Sequence, residues 1–273
     1  MTAPPHLFDR TALNRQRARA ARDPALFLRQ TIRDEVQDRL IEVNRRFTSP
    51  AIVTALPDLW RKVVPGAVIV PDVDVLALGR DAHDVVIHDM ALHWANDPVG
   101  QLVQARLALR PDGLLIATLF GGQTLANLRA ALTLAETQET GGLSPRVAPM
   151  GDIRDLGGLL QRAGLALPVA DVTPVTVSYA DPFALMRDLR AMGEGNALAG
   201  RLRHPTRRAV LARAAALYPT GPDGRIAAMF DVVTLTGWAP APDQPQPLRP
   251  GSARTRLADA LRVPERPLDH GGD

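Results

Sequence analysis

Two carboxylates, Asp72 and Asp74, follow the apolar run AVIVPD (67–72). An acid at the carboxyl end of a second parallel strand commonly accepts hydrogen bonds from ribose hydroxyls; a solvated loop acid or a helix cap is the plain alternative. Further on, MALHWAND (90–97) brings together His93, Trp94 and Asp97. His93 is the acid/base candidate, because imidazole titrates near neutrality. Trp94 can stack on a purine or simply fill core. HDVVIHDMALH (83–93) also holds three histidines and two aspartates, which raises a metal site. His83 and His88 would point to opposite faces of a strand, so no metal is expected. Ser144 lies in GGLSPR rather than GxSxG, which excludes a nucleophile elbow. GEGNALAG (193–200) follows a helix with no strand before it and reads as a loop. Arg201, Arg203, Arg207, Arg208 and Arg213 cluster late in the chain. They form either a solvated face or a docking surface for an acidic protein or an anionic membrane.

Positioning these residues requires strands alternating with helices. FDRTALNRQRARAARD predicts a first helix ended by Asp23-Pro24. Ile32, Val36, Leu40, Val43 and Phe47 recur at helical spacing and predict an amphipathic helix over about 25–46. AIVTAL (51–56), AVIVPD (67–72), HDVVIHDM (83–90) and LLIATLF (114–120) read as buried strands, with DLWRKV (58–63) a short helix between the first two. DPVGQLVQARLAL (97–109) is a helix capped by Asp97 with Pro98 at its first position. Helices are expected over 124–139, 152–165, 181–193 and 205–217, and strands over 172–179 and 226–238. Buried strands alternating with helices imply a parallel sheet covered on both faces. The expected division is an N-terminal helical arm (1–49), an α/β domain (50–238) and a flexible tail (239–273). Within the domain, a helical lid or partner region spans about 122–217, interrupted by the strand at 172–179.

Composition narrows the chemistry. The 273 residues include no cysteine, which excludes disulfides, thiolate nucleophiles and cysteine-held zinc or iron–sulfur clusters. Lys62 is the sole lysine and stands in no phosphate-binding loop motif. The formal net charge is only +3, and no basic surface interleaved with aromatics is evident, so nucleic acid is not the expected partner. No apolar run reaches the ~18 residues of a membrane span, and a cytoplasmic protein, peripheral at most to the inner membrane, is expected. A nucleoside cofactor needs backbone close to it, normally through a glycine-rich turn after the first strand. Here that turn reads TALPDLWRKV, without glycine.

The stretch LHWANDPVGQLVQARLALRPDGLLIATLFGGQTLANLRAALTLAETQETGGLSPRVAP (92–149) resembles class I S-adenosylmethionine-dependent methyltransferases of the biotin-synthesis type. It is still more similar to the methyltransferase-fold assembly factors of respiratory complex I. DIRDLGGLLQRAG, LMRDLRAMGEGNAL, TGW and the arm PPHLFDR extend that resemblance over most of the chain outside 50–83. The resemblance implies a Rossmann-like sheet of seven strands, the sixth and seventh being 172–179 and 226–238, here shortened between strands 2 and 4. It also implies S-adenosylmethionine as cofactor, in a pocket of Asp72, Met90, Ala91, Leu92, His93 and Trp94. A protein partner follows, such as a complex I iron–sulfur subunit that is methylated or hydroxylated at arginine, docking on Arg203, Arg207 and Arg208. The glycine-free turn opens the alternative of a catalytically dead assembly chaperone that does not bind the cofactor.

Overall fold

The computed structural model describes residues 6–244 together with 256, 258, 259, 262 and 263. Two compact units divide the chain, Met1–Pro240 and Ala241–Asp273, and the first carries the sheet. In it, helices α1 (Arg10–Ala20) and α2 (Phe27–Glu42) precede strand β1 (Pro50–Val53), a short α3 (Pro57–Arg61) and β2 (Val68–Val70). Strand β3 (His83–His88), a 3₁₀ turn at Leu92–Trp94, α4 (Pro98–Ala108) and β4 (Leu109–Gly121) follow. The second half runs α5 (Ala126–Thr140), α6 (Ile153–Arg162), β5 (Ala166–Tyr179), α7 (Pro182–Ala191), α8 (Arg208–Leu217) and β6 (Ile226–Trp238). Local chemistry sets several starts: the side chains of Asp97, Asp152 and Asp181 accept from the first-turn amides of α4, α6 and α7, and Pro98 and Pro182 supply a preset φ.

The strands lie in the order β2-β1-β3-β4-β6-β5. β1 pairs in parallel with β2 and β3, and β3 with β4; β6 runs antiparallel between β4 and β5. The sheet has six strands rather than the seven that the resemblance implies. Residues 71–82 are too few to hold a further strand and both of its crossover connections. Alternation along each strand divides the core. Ile52, Val85, Ile87, Leu114 and Ile116 face Val36 of α2 and Trp60 of α3. On the same face, Phe120, Phe230 and Val232 meet α5, α7 and α8. Val53, Val86, Leu115, Ala117, Val233 and Leu235 face α4 and α6.

Several expected boundaries shift. α2 stops at Glu42, and Val43 and Phe47 still pack on the core from the loop beyond it. β4 begins at Leu109, not 114: His83 pairs with Leu109 and Val85 with Leu114, so the RPDG turn (110–113) bulges out of a continuous strand. β5 begins at Ala166, not 172. Its Pro168 and Pro174 are tolerated because β5 is an edge strand with amides facing away from the ladder. α8 begins at Arg208, and Arg207 is its cap residue. Ala239, where the tail is expected to begin, is buried and donates its N–H to the Gly113 carbonyl at 2.8 Å. Most of that tail lies outside the described residues.

Candidate functional site

The chain runs from β1 outward to β2 and then back across β1 to β3, so the topological switch point lies between β1 and β3. Ligands of open α/β sheets bind there, outside the strands' carboxyl ends. Thr54, Asp72 and Asp89 stand at those three ends. Asp89 Oδ2 accepts from Thr54 Oγ1 at 2.7 Å and from the indole of Trp60 at 2.9 Å. Trp60, carried by α3, is completely buried. The turn that would have to bring bare backbone to a nucleoside is thus built from Ala55, Leu56 and Pro57, with an indole sealed behind it.

Asp72 is only 8% exposed, and α1 covers it. Arg17 Nη1 donates to both carboxylate oxygens at 2.8 and 2.9 Å, and Arg10 Nη2 donates to Oδ2 at 3.2 Å and also to the Asp72 carbonyl. Burial raises the Asp72 carboxyl, and the Arg17 and Arg10 guanidiniums outweigh it, holding the group below the usual carboxylate range. α1 is strapped down along its length. Phe8 meets Trp94 edge-on at 5.2 Å, Asp9 caps the helix and accepts from Arg201, and Gln16 donates to the Asn196 carbonyl. Gly193 has φ +79°, and a Cβ there would come within 3.2 Å of Arg17 Cγ, so a side chain at that position would push against the arm. Between α1 and the strand ends remains a cavity of about 350 Å³ lined by Asn14, Arg17, Thr54, Pro57, Arg61 and Asp72 among others.

The other residues expected beside Asp72 are not gathered in that cavity. Met90 joins the α5 side of the core, Ala91 is buried, and Leu92 joins the α4 side. Trp94 packs with Phe8 and Leu13 under the arm. His93 instead lines a separate, largely apolar cavity of about 230 Å³, walled by Phe120, Leu128, Met150, Met186 and Phe230 among others. Its Nδ1 accepts from the Phe120 amide at 3.4 Å and its Nε2 lies 3.2 Å from Glu194 Oε2. This assigns the proton to Nε2 and leaves neither nitrogen free. Burial pushes the imidazole down, and the facing Glu194 carboxylate works against that shift. Both ring nitrogens of His93 thus face groups of the chain itself.

Glu194, in the GEGNALAG segment that reads as a loop, is the centre of this region. Its Oε1 accepts from Arg29 Nη2 at 2.7 Å, and its Oε2 accepts from the Trp94 indole at 2.7 Å as well as facing His93. Burial opposes ionisation, and the close His93 and Arg29 partners win, holding the carboxyl far below its ordinary value. A signal was present in the sequence. Arg29 shares the buried stripe of α2 with Ile32 and Val36, and a buried cation demands an anion.

A second buried carboxylate fixes the loop that roofs the apolar cavity. Glu136 accepts from Arg146 Nε at 2.9 Å and Nη2 at 2.7 Å, and from the Ser144 hydroxyl and amide. Ser144 is therefore a loop clamp. The Arg146 hydrogen bonds lead in lowering the Glu136 pKa from 4.5 to about 2. A folded value below the unfolded one gives stability that is present above the unfolded pKa and lost as pH falls through the folded one. Melting temperatures of wild type and Glu136→Gln should therefore differ most near neutrality and converge as pH falls from about 4.5 to about 2. A gap that stays constant over that window would show that the clamp is not ionic.

Arg203, Arg207 and Arg208 are all exposed and form no ion pair among the described residues. Arg203 lines an open basin of about 730 Å³ with Arg15, Arg19, Arg190 and Arg201.

A parallel sheet with a single antiparallel strand, β6, inserted before its last member, in the order found here, is the Rossmann-like sheet of class I methyltransferases with its third strand missing. The chain belongs to the methyltransferase-fold family that includes arginine-hydroxylase NDUFAF5. It is 34% identical to arginine-hydroxylase NDUFAF5, mitochondrial, of Danio rerio over 81% of this chain and 70% of that one. With the Homo sapiens protein of the same name it shares 31% identity over 94% of this chain and 84% of that one. Malonyl-[acyl-carrier protein] O-methyltransferase of Laribacter hongkongensis is 36% identical over 64% of this chain and 57% of its own. Among solved structures, a putative methyltransferase from Bacillus halodurans aligns with a TM-score of 0.47 at 9% identity, over 75% of this chain and 98% of that one. No family model matches the chain. No helix among the described residues is long and apolar enough to cross a membrane.

Proposed function

We propose that this chain is a partner-handling member of its family that does not take up S-adenosylmethionine at the switch point and serves in the assembly of a respiratory complex. One observation carries the reading: the Asp72 carboxylate that would receive a ribose is held by Arg10 and Arg17 of the chain's own first helix. The glycine-free turn and the buried Trp60 support it, because L side chains stand where backbone would have to meet the ligand. The residues present do not fit the cofactor. The partner expected from the family resemblance is a protein subunit, held on the arginine face at Arg203, Arg207 and Arg208.

A second reading keeps the family's chemistry, methyl transfer or arginine hydroxylation on a protein partner, with α1 swung away. It is favoured by three buried polar atoms near the strand ends that have no hydrogen-bond partner: Arg17 Nη2, His88 Nδ1 and Asp89 Oδ1. Calorimetric titration of the full chain with S-adenosylmethionine and S-adenosylhomocysteine, after removal of co-purified ligand, separates the two. No heat of binding up to millimolar concentration is expected, a ceiling of about −4 kcal/mol. Micromolar binding of either compound would overturn the closed-site reading.

A further inference from the structure

The apolar cavity behind His93 and the arginine basin are neighbours that share a wall: Arg146, Arg190 and Asn196 line both. Of the basin's guanidiniums, Arg146 is paired with Glu136 and Arg201 with Asp9. Arg15, Arg19, Arg190 and Arg203 have no ion-pair partner among the described residues, and all four are exposed. Arg15 and Arg19 stand one turn apart on α1, a like-charge spacing that weakens a helix. Four unpaired cations around one concavity raise the local potential and favour an anionic occupant.

The cavity asks for something different. Its apolar walls are leucine, methionine, valine and phenylalanine from β4, α5, the loop after α5, α7, α8 and β6. Its two buried ionisable groups already answer each other: Glu194 is saturated by Arg29, Trp94 and His93, and both nitrogens of His93 are engaged. Neither requires a polar partner from a ligand. A volume of about 230 Å³ suits one large apolar side chain.

We infer that this face binds an acidic peptide segment carrying one bulky apolar residue. The apolar side chain enters the cavity between α5 and α7, and flanking carboxylates rest on Arg190, Arg203, Arg15 and Arg19. The inference rests on the protein-partner reading above and supplies that partner's chemistry. A single-stranded nucleic acid is disfavoured because the basin's lining holds no Phe, Tyr or Trp, and His204 is its one ring able to stack on a base. A concave basin that deepens into an apolar hole fits a protruding segment better than a flat lipid surface.

The test is selection of a randomised peptide display library on the immobilised full chain, followed by fluorescence anisotropy of the enriched peptides. Enriched sequences should carry acidic residues on both sides of a large apolar one. Replacing that apolar residue with serine should weaken binding about tenfold, as expected for losing burial of a large side chain. The variant Arg190→Glu/Arg203→Glu should weaken binding about tenfold or more, and binding should fall with added salt. Both positions are exposed and unpaired, and circular dichroism verifies that the variant folds. Leu211→Trp, which fills the cavity from its α8 wall, should remove the preference for the apolar residue while leaving the salt dependence.

No enrichment, or enriched peptides without acidic flanks, would overturn the inference. So would anisotropy unchanged by both variants. Sedimentation with phosphatidylglycerol vesicles that is lost in the charge-reversed variant, with no peptide enriched, would assign the face to a membrane instead. Titrating the charge-reversed variant with S-adenosylmethionine reports on the switch point independently. Binding there would sink the closed-site reading and leave the peptide result standing.

Discussion

Removing the Glu194 carboxylate by Glu194→Ala is expected to cost about 3–5 kcal/mol of folding free energy, the usual result of breaking a buried ion pair from one side. The side chains of Arg29 and Glu194 are 5% and 6% exposed, so water cannot replace what is lost. Arg29 would retain a single hydrogen bond, from Nη1 to the Met90 carbonyl at 3.1 Å, and its charge would stand unanswered in the core. The Trp94 indole would lose its acceptor as well. Glu194→Gln keeps the shape and removes the charge, and should cost less, about 1.5–3 kcal/mol, the range for hydrogen bonds to a charged group. Urea unfolding followed by tryptophan fluorescence measures both. An alanine variant within about 1 kcal/mol of wild type would mean that the Arg29 charge finds water in solution.

The second large effect concerns the arm. Asp72→Ala should release α1 from the strand ends and lower stability by about 2–4 kcal/mol. That is somewhat less than a fully buried pair, because Arg10 and Arg17, at 19% and 15% exposed, can partly rehydrate. Hydrogen exchange is the decisive readout. Amides of Arg10–Ala20 should lose protection while those of β1, β3 and β4 keep theirs, a local opening rather than global unfolding. Unchanged protection in α1 would show that Phe8, Leu13 and the Asp9–Arg201 pair hold the arm without Asp72.

The sheet was legible in the sequence wherever a run of apolar residues coincided with a local punctuation mark. AIVTAL, AVIVPD and HDVVIHDM each contain a strand, and Asp-Pro opens two helices where it was expected to. The missing strand between strands 2 and 4 was legible as a short interval of chain. Propensity failed where the surroundings decide: Pro168 and Pro174 hid the start of β5, and only its edge position explains their presence. The site was less legible because its key contacts span long separations. The strand-end position of Asp72 suggests a ribose acceptor, but nothing near it in sequence announces Arg10 and Arg17. Trp60 reads as an ordinary residue of the short helix DLWRKV, and nothing in the spacing of Thr54, Trp60 and Asp89 shows that they meet. Charged residues on apolar helix stripes, Arg29 on α2 and Glu136 on α5, were the readable clues to the buried pairs.

Dropping a strand from a sheet ordinarily bares a row of unpaired amides and carbonyls, which invites neighbouring molecules to extend the ladder. Here β2 inherits the outer edge with Val68, Val73 and Val75 open to solvent around it. Yet β2 is only three residues long, with Pro65 shortly before it and Pro71 directly after, each lacking an N–H. An incoming strand would find too little backbone to hold. At the far edge β5 is long, but Pro168 and Pro174 interrupt its outward donors in the same way. Both rims of the sheet are thus blunted by proline, and the shortened fold resists edge-to-edge self-association despite the valines on its border.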